Sequence, residues 1–247
     1  MMYVIGSGPS GVSAAIPLLK KGYKVTMLDP GLELEAERQE AITRMAGVDK
    51  DQWDEGSINL VKENMTGKVS GVDQKYIYGS DYPYFGIDQH QPVKLNNAKM
   101  VRSLAKGGFS NVWGAGIFPA EERDIADWPV SYAKLKQNYK AVLSFMPHAA
   151  PHLVVGEESE VEAEIYGTGA QRFNLCSQAV SFVEDLQKNT EQLKQDGISF
   201  HLPRLAIDFD NKNNGRGCAY CGLCLYGCPY GLIYSSASTV KKLEEDK

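Results

Sequence analysis

An α/β fold built on a parallel sheet is the reading this sequence supports, and three observations carry it. The apolar run Tyr3-Val4-Ile5 is too short for a helix. It leads into Gly6-Ser7-Gly8-Pro9-Ser10-Gly11, after which Val12 to Leu19 is apolar enough to continue as a buried helix. Gly22 then ends that segment, and Tyr23 to Leu28 reads as a second strand that stops at Asp29. Finally, the distance from Gly11 to Asp29 is close to the spacing of about 20 residues that separates loop from acid in a nucleotide-binding strand–helix–strand unit.

Each residue of this pattern has a mechanical role. Gly6 allows the tight turn out of the strand, Gly8 lacks the Cβ that would hold a pyrophosphate away, and Gly11 lets the helix pack close to the strand. Pro9 and Ser10 open the helix, whose unpaired N–H groups seat the anion. Asp29 is placed to reach the adenosine ribose hydroxyls. Its charge would repel a 2′-phosphate, which argues against NADP but does not separate FAD from NAD. Pro17 falls inside the helix and is expected to kink it.

With 247 residues, a net charge of -5 and 43% hydrophobic residues, the chain fits one large domain or two small ones. It has no basic stripe for nucleic acid. No apolar run approaches the 18 or so residues of a membrane span. A nucleotide-binding strand begins within a few residues of Met1, with no basic leader before it, so a cytoplasmic location with reduced cysteines is expected.

Along the chain, residues 31–64 are charged, with one helical pattern from Leu34 to Ala46, and read as a surface excursion. The aromatic stretch Lys75 to Phe85 reads equally as a ligand-lining loop or as aromatic core. From Arg102 to Gly116, glycines interleaved with Ser, Asn and Trp suit a backbone that approaches a flat ligand closely. Gly107, Gly108, Ser110, Asn111, Trp113 and Gly114 are therefore read as a second contact on an extended cofactor. Ser131 is an N-cap candidate for a helix to Met146, Ser177 to Leu193 reads as a polar helix, and Ile198 to Ile207 as a strand interrupted by Pro203. The histidines His90, His148, His152 and His201 show no metal spacing, and Pro151 argues against a helical His148–His152 pair.

The run Cys218-x2-Cys221-x2-Cys224-x3-Cys228-Pro229 has the spacing of bacterial ferredoxin clusters. Soft thiolates favour an iron–sulfur centre or zinc over hard cations. In two-cluster ferredoxins the fourth cysteine of such a run serves the other cluster, and no second run exists in this sequence. Three readings stay open: an iron–sulfur cluster, with Cys176 as the only remote thiol; a zinc knuckle; or cysteines that hold no metal.

Together these motifs resemble the N-terminal part of the glucose-methanol-choline (GMC) flavoprotein oxidoreductases. The likeness rests on residues 6–11 with Asp29, on Gly107 to Gly114, on Asp127-Trp128-Pro129-Val130-Ser131-Tyr132, and on Cys221 to Gly231, which is similar to a segment in bacterial sugar and sterol members. The resemblance implies a Rossmann-type FAD-binding fold with a central parallel sheet. Its FAD-binding core would comprise residues 1–116 and 201–247, with residues 117–200 as an inserted substrate-side region. It implies FAD as cofactor, with an iron–sulfur cluster relaying electrons in some members, and hydride transfer from an alcohol or sugar CH–OH group to the flavin. The alternative is a flavin and iron–sulfur module that passes electrons to an acceptor protein. The family's histidine base lies in a C-terminal half, so no catalytic residue is assigned and the chain is expected to be an N-terminal portion.

Overall fold

The structure is a computed structural model that describes residues 1–69, 72–86, 94, 96–98, 100–153, 160–166, 170–210 and 215–245. The chain divides into two compact units, one formed by residues 1–114 with 216–247 and the other by residues 115–215. The fold is mixed α/β, and among the described residues its strands gather into three small sheets.

In the first unit, β1 (Met2–Ile5) leads through the glycine turn into α1 (Pro9–Lys20) and then β2 (Val25–Leu28). The two strands pair in parallel, with Met2 opposite Val25 and Ile5 opposite Leu28. Among the described residues this parallel sheet has two strands. Helix α1 runs through Pro17 without ending. Pro17 stands on the exposed side in the last turn, where its missing N–H removes a single helical hydrogen bond and its ring meets solvent.

The charged segment that follows is more than a surface excursion. Helices α2 (Ala36–Gly47) and α3 (Glu55–Lys62) bury Ile42, Met45 and Val61 in one cluster with Leu223 from the cysteine run. A few apolar positions on the inner faces of two helices rich in charge are enough to make a core. The Trp53 indole N–H donates to Met45 O at 2.7 Å, and Asp54 caps α3 by accepting the Ser57 N–H at 2.7 Å. Hydrogen bonds from Ser57 hold the Asp54 carboxyl below its ordinary range.

An antiparallel hairpin comes next, formed by β3 (Thr66–Val69) and β4 (Val72–Lys75). The aromatic stretch after it is core on its inner side: Tyr84 is buried with Leu104, and Tyr76, Val69 and Val112 pack against them. Burial, followed by the neighbouring Tyr76, pushes the Tyr84 phenol up to about 12.

The second unit holds a four-stranded mixed sheet of β5 (Gly116–Ile117), β6 (Ala149–Pro151), β7 (Gln171–Phe173) and β8 (Arg204–Leu205) in the order β5-β8-β6-β7. Strands β6 and β7 run parallel and the other pairs antiparallel. The strand expected from Ile198 to Ile207 shrinks to its last part, since Pro203 has no N–H to give a ladder. Helix α4 (Tyr132–Leu143) starts after Ser131 as its capping residue suggested, although the serine side chain makes no cap hydrogen bond. Helix α5 (Glu160–Tyr166) follows. The polar helix expected from Ser177 to Leu193 is split into α6 (Ser177–Lys188) and α7 (Thr190–Gln195) at Asn189, whose side-chain amide turns back to Asp185 O at 2.7 Å. The last helix, α8 (Ser236–Glu245), returns to the first unit and packs against α1.

His90 lies outside the described residues. Among those described, no helix is long and apolar enough to cross a membrane.

Met45 is 1% exposed at the centre of the α2–α3 cluster. Met45→Ala is expected to lower unfolding stability by about 2–5 kcal/mol in urea titration, against less than about 0.5 kcal/mol for Glu37→Ala on the solvent face of the same helix.

Candidate functional site

The first glycine-rich turn is shaped by close packing. A Cβ on Gly11 would sit inside the contact shell of Gly6 O, so only glycine lets α1 start this near the end of β1. Gly8 occupies the N-cap position, Pro9 opens the helix, and no side chain caps it. The first-turn N–H groups of α1 are therefore left without a side-chain cap, and Ser10 in that turn is exposed.

Asp29, at the end of β2, reaches back to this turn. Its carboxylate accepts the Ser7 N–H at 2.7 Å through one oxygen and the Gly31 N–H at 2.7 Å through the other. Two charge-assisted hydrogen bonds hold the acid beside the glycine turn from which it is separated by a whole helix.

The second glycine-rich segment lies directly against the first. The Gly107 N–H donates to Ser7 Oγ at 2.8 Å, and a Cβ on Gly108 would stand 3.6 Å from Gly8 Cα. Gly107 has φ +86°, and a side chain there would meet Ala237 N at 2.7 Å, so the position requires glycine on both counts. A short 3-10 turn over Gly108–Asn111 follows. Asn111 ties it down by donating to Lys106 O at 2.9 Å and Gly108 O at 2.8 Å. Trp113 is fixed by its indole N–H to Tyr234 O at 2.9 Å, while Gly114 meets no neighbour where a Cβ would stand.

The third participant was not legible in the sequence. Ser236, at the start of α8, is fully buried and donates to Ser7 O at 2.9 Å and Gly107 O at 3.0 Å. Its own N–H goes to Ser110 Oγ at 2.9 Å, and Ser110 Oγ donates to Gly107 O at 2.5 Å. Ser235 Oγ donates to Asn111 Oδ1 at 2.8 Å. A serine pair opening a C-terminal helix is a local capping signal; its partners 126 and 229 residues away leave no trace in local sequence pattern.

The cysteine run is anchored beside this assembly. Leu223 enters the α2–α3 core, Tyr226 O accepts the Tyr78 N–H at 2.6 Å, and Tyr78 OH donates to Cys228 O at 2.9 Å. Gly227 has φ +114°, and the Tyr78 ring stands where a side chain on it would go. Burial pushes the Tyr78 phenol up. Burial, followed by the neighbouring thiols Cys218 and Cys221, also pushes the Cys224 thiol up, and burial is the main cause for Cys228.

All five cysteines are free thiols, and Cys176 stands at the N-cap of α6 in the other unit. Among the described residues, no three His, Cys, Asp or Glu side chains are gathered to hold a metal ion. A small cavity of about 70 Å³ touches both the cysteine run, at Cys224 and Cys228, and the second glycine-rich segment, at Ser110, Asn111 and Trp113.

No family model matches this sequence, and no curated protein matches it.

Ser236→Ala removes a buried hydroxyl and leaves Ser7 O without that donor. Unfolding stability is expected to fall by about 1–3 kcal/mol, and by less for Ser238→Ala, an exposed serine of the same helix. Equal losses in urea titration would show that the buried hydroxyl has no special part in holding the loops.

Proposed function

We propose that this chain is the FAD-binding part of an oxidoreductase acting on the CH–OH group of an alcohol or sugar, in the manner of the GMC flavoproteins, with its small parallel sheet as the start of a Rossmann-type unit. One observation supports this reading above the others: two glycine-rich segments a hundred residues apart are hydrogen-bonded to each other beside an uncapped helix start and an acid held at the end of β2. A single glycine turn is common, whereas two in contact, with Asp29 beside the first, match what an extended dinucleotide requires.

The residues fit the group on the chain's own geometry. The open N-terminus of α1 offers N–H donors to a pyrophosphate, and Gly8 keeps side-chain bulk away from it. The Asp29 carboxylate presents acceptors suited to ribose hydroxyls and disfavours a further phosphate there. Gly107 and Gly108 keep side chains out of the space between the two segments, and the tethered indole of Trp113 adds an aromatic wall. FAD, when bound, supplies the acceptor for a hydride from the CH–OH carbon. No residue described here is assigned as the base.

A second reading, a flavin module that passes electrons to a partner protein, draws on the cavity shared by the cysteine run and the second glycine-rich segment. The case for an iron–sulfur centre rests on the C-x2-C-x2-C-x3-C-P spacing alone. Among the described residues the four thiols are not gathered around a metal position.

Mixing the whole chain with FAD and passing it through a desalting column tests the proposal. The expected result is stoichiometric retained flavin, with affinity lowered about tenfold or more by Gly8→Val while the folded circular-dichroism spectrum is kept. FAD that elutes free from the wild-type chain, or that binds Gly8→Val equally well, contradicts it.

A further inference from the structure

The second compact unit contains a cavity of about 1010 Å³ that the flavin reading does not use. Its size is at the upper end of the roughly 300–1,000 Å³ typical of small-molecule sites. Two large apolar side chains in its wall, Phe118 and Ile198, are 60% and 51% exposed. Apolar surface gathered in a concavity marks a ligand site, whereas the same side chains scattered over a convex surface would call for no explanation. Tyr132 adds a second ring, and the His201 ring stands edge-on to Phe118 with centroids 6.1 Å apart, so the wall is aromatic on more than one side.

The charged groups of the lining are answered by the protein itself. Glu162 of α5 has its Oε1 3.2 Å from Nε2 of His201. Arg123 lies 2.8 Å from Glu121 and 3.9 Å from Asp124, Glu122 acts on the ammonium of Lys136, and Lys194 has a partner as well. An ion entering the cavity would give up water without gaining a free counter-charge. The uncharged hydrogen-bonding groups are of a different kind: the wall carries the amide of Gln187 and the hydroxyls of Thr190 and Ser199. Thr190 Oγ1 donates to Gln187 O at 2.8 Å and so keeps its lone pairs for an incoming donor. A sugar would lay hydroxyls against Phe118 and Ile198, where they find no partner, while an uncharged ring system with one polar end covers the apolar wall and loses little.

We propose that this cavity binds an uncharged molecule built of fused apolar rings with a single hydroxyl, its rings along Phe118 and Ile198 and its hydroxyl among Gln187, Thr190 and Ser199. The site is independent of the flavin proposal and stands or falls without it.

Isothermal titration of the whole chain with 2-naphthylmethanol, its charged analogues 2-naphthoate and 2-naphthylmethylammonium, and glucose tests the assignment. The alcohol is expected to bind about tenfold or more tightly than either ion, with glucose weaker still. Phe118→Ala should weaken the alcohol about fivefold or more, while Leu225→Ala, which trims a side chain of similar exposure in the other unit, should leave its affinity unchanged. Should Phe118→Ala lose its cooperative melting transition, Ile198→Ala takes its place, with a loss of several-fold expected. The proposal is overturned if the alcohol does not bind, if either ion or glucose binds as tightly, or if the folded cavity variant binds the alcohol as well as the wild-type chain does.

Discussion

A buried knot of hydroxyl and backbone hydrogen bonds is what the first unit depends on. Ser7, Gly107, Ser110 and Ser236 come from the start, middle and end of the chain, and their polar atoms satisfy one another with little water to help. Such a network is worth much more complete than in part, because each hydroxyl removed leaves a buried partner without its hydrogen bond. It therefore fixes the relative position of the two glycine-rich segments more narrowly than apolar packing would. Glycine is needed at position 107 for the same reason: the second segment can reach Ser7 only by passing close to the backbone of Ala237.

The knot also explains why the two ends of the sequence belong together. Helix α8 lies against α1 and the 3-10 turn over Gly108–Asn111, so its N-terminal serines meet the turn at the start of α1. The cysteine run immediately precedes this helix and is clamped separately, through Leu223 in the α2–α3 core and Tyr230, whose hydroxyl donates to Val48 O at 3.1 Å. A segment so firmly tied to its surroundings has a structural role whether or not its thiols bind a metal. The thiol groups of Cys224 and Cys228 are held toward their neutral form, which sets them apart from the low-pKa cysteines of reactive sites.

How much of this was legible in the sequence depended on the range of the interaction involved. The strand, glycine turn, helix and second strand at the N-terminus form from neighbours in sequence, and β1, α1 and β2 lie where the apolar periodicity and Gly22 put them. Helix α4 was marked in advance by Ser131 and its apolar stripe. Long-range features were not readable. The burial of Met45 and Val61 depends on Leu223, far along the chain, and the pairing of His201 with Glu162 joins two segments whose local patterns say nothing of each other. The strand expected across Ile198 to Ile207, interrupted by Pro203, is confined to Arg204–Leu205, because the proline N has no hydrogen to give a ladder. The sequence predicts a central parallel sheet, and the described residues give the parallel sheet two strands.

Peptide-resolved hydrogen–deuterium exchange with and without FAD tests the central claim most directly, because it asks whether both glycine-rich segments form one site. Slower exchange on FAD addition is expected in residues 6–12 and in residues 107–114 together, with the peptides of residues 171–205 unchanged. Protection of only one segment, or of neither, would contradict it.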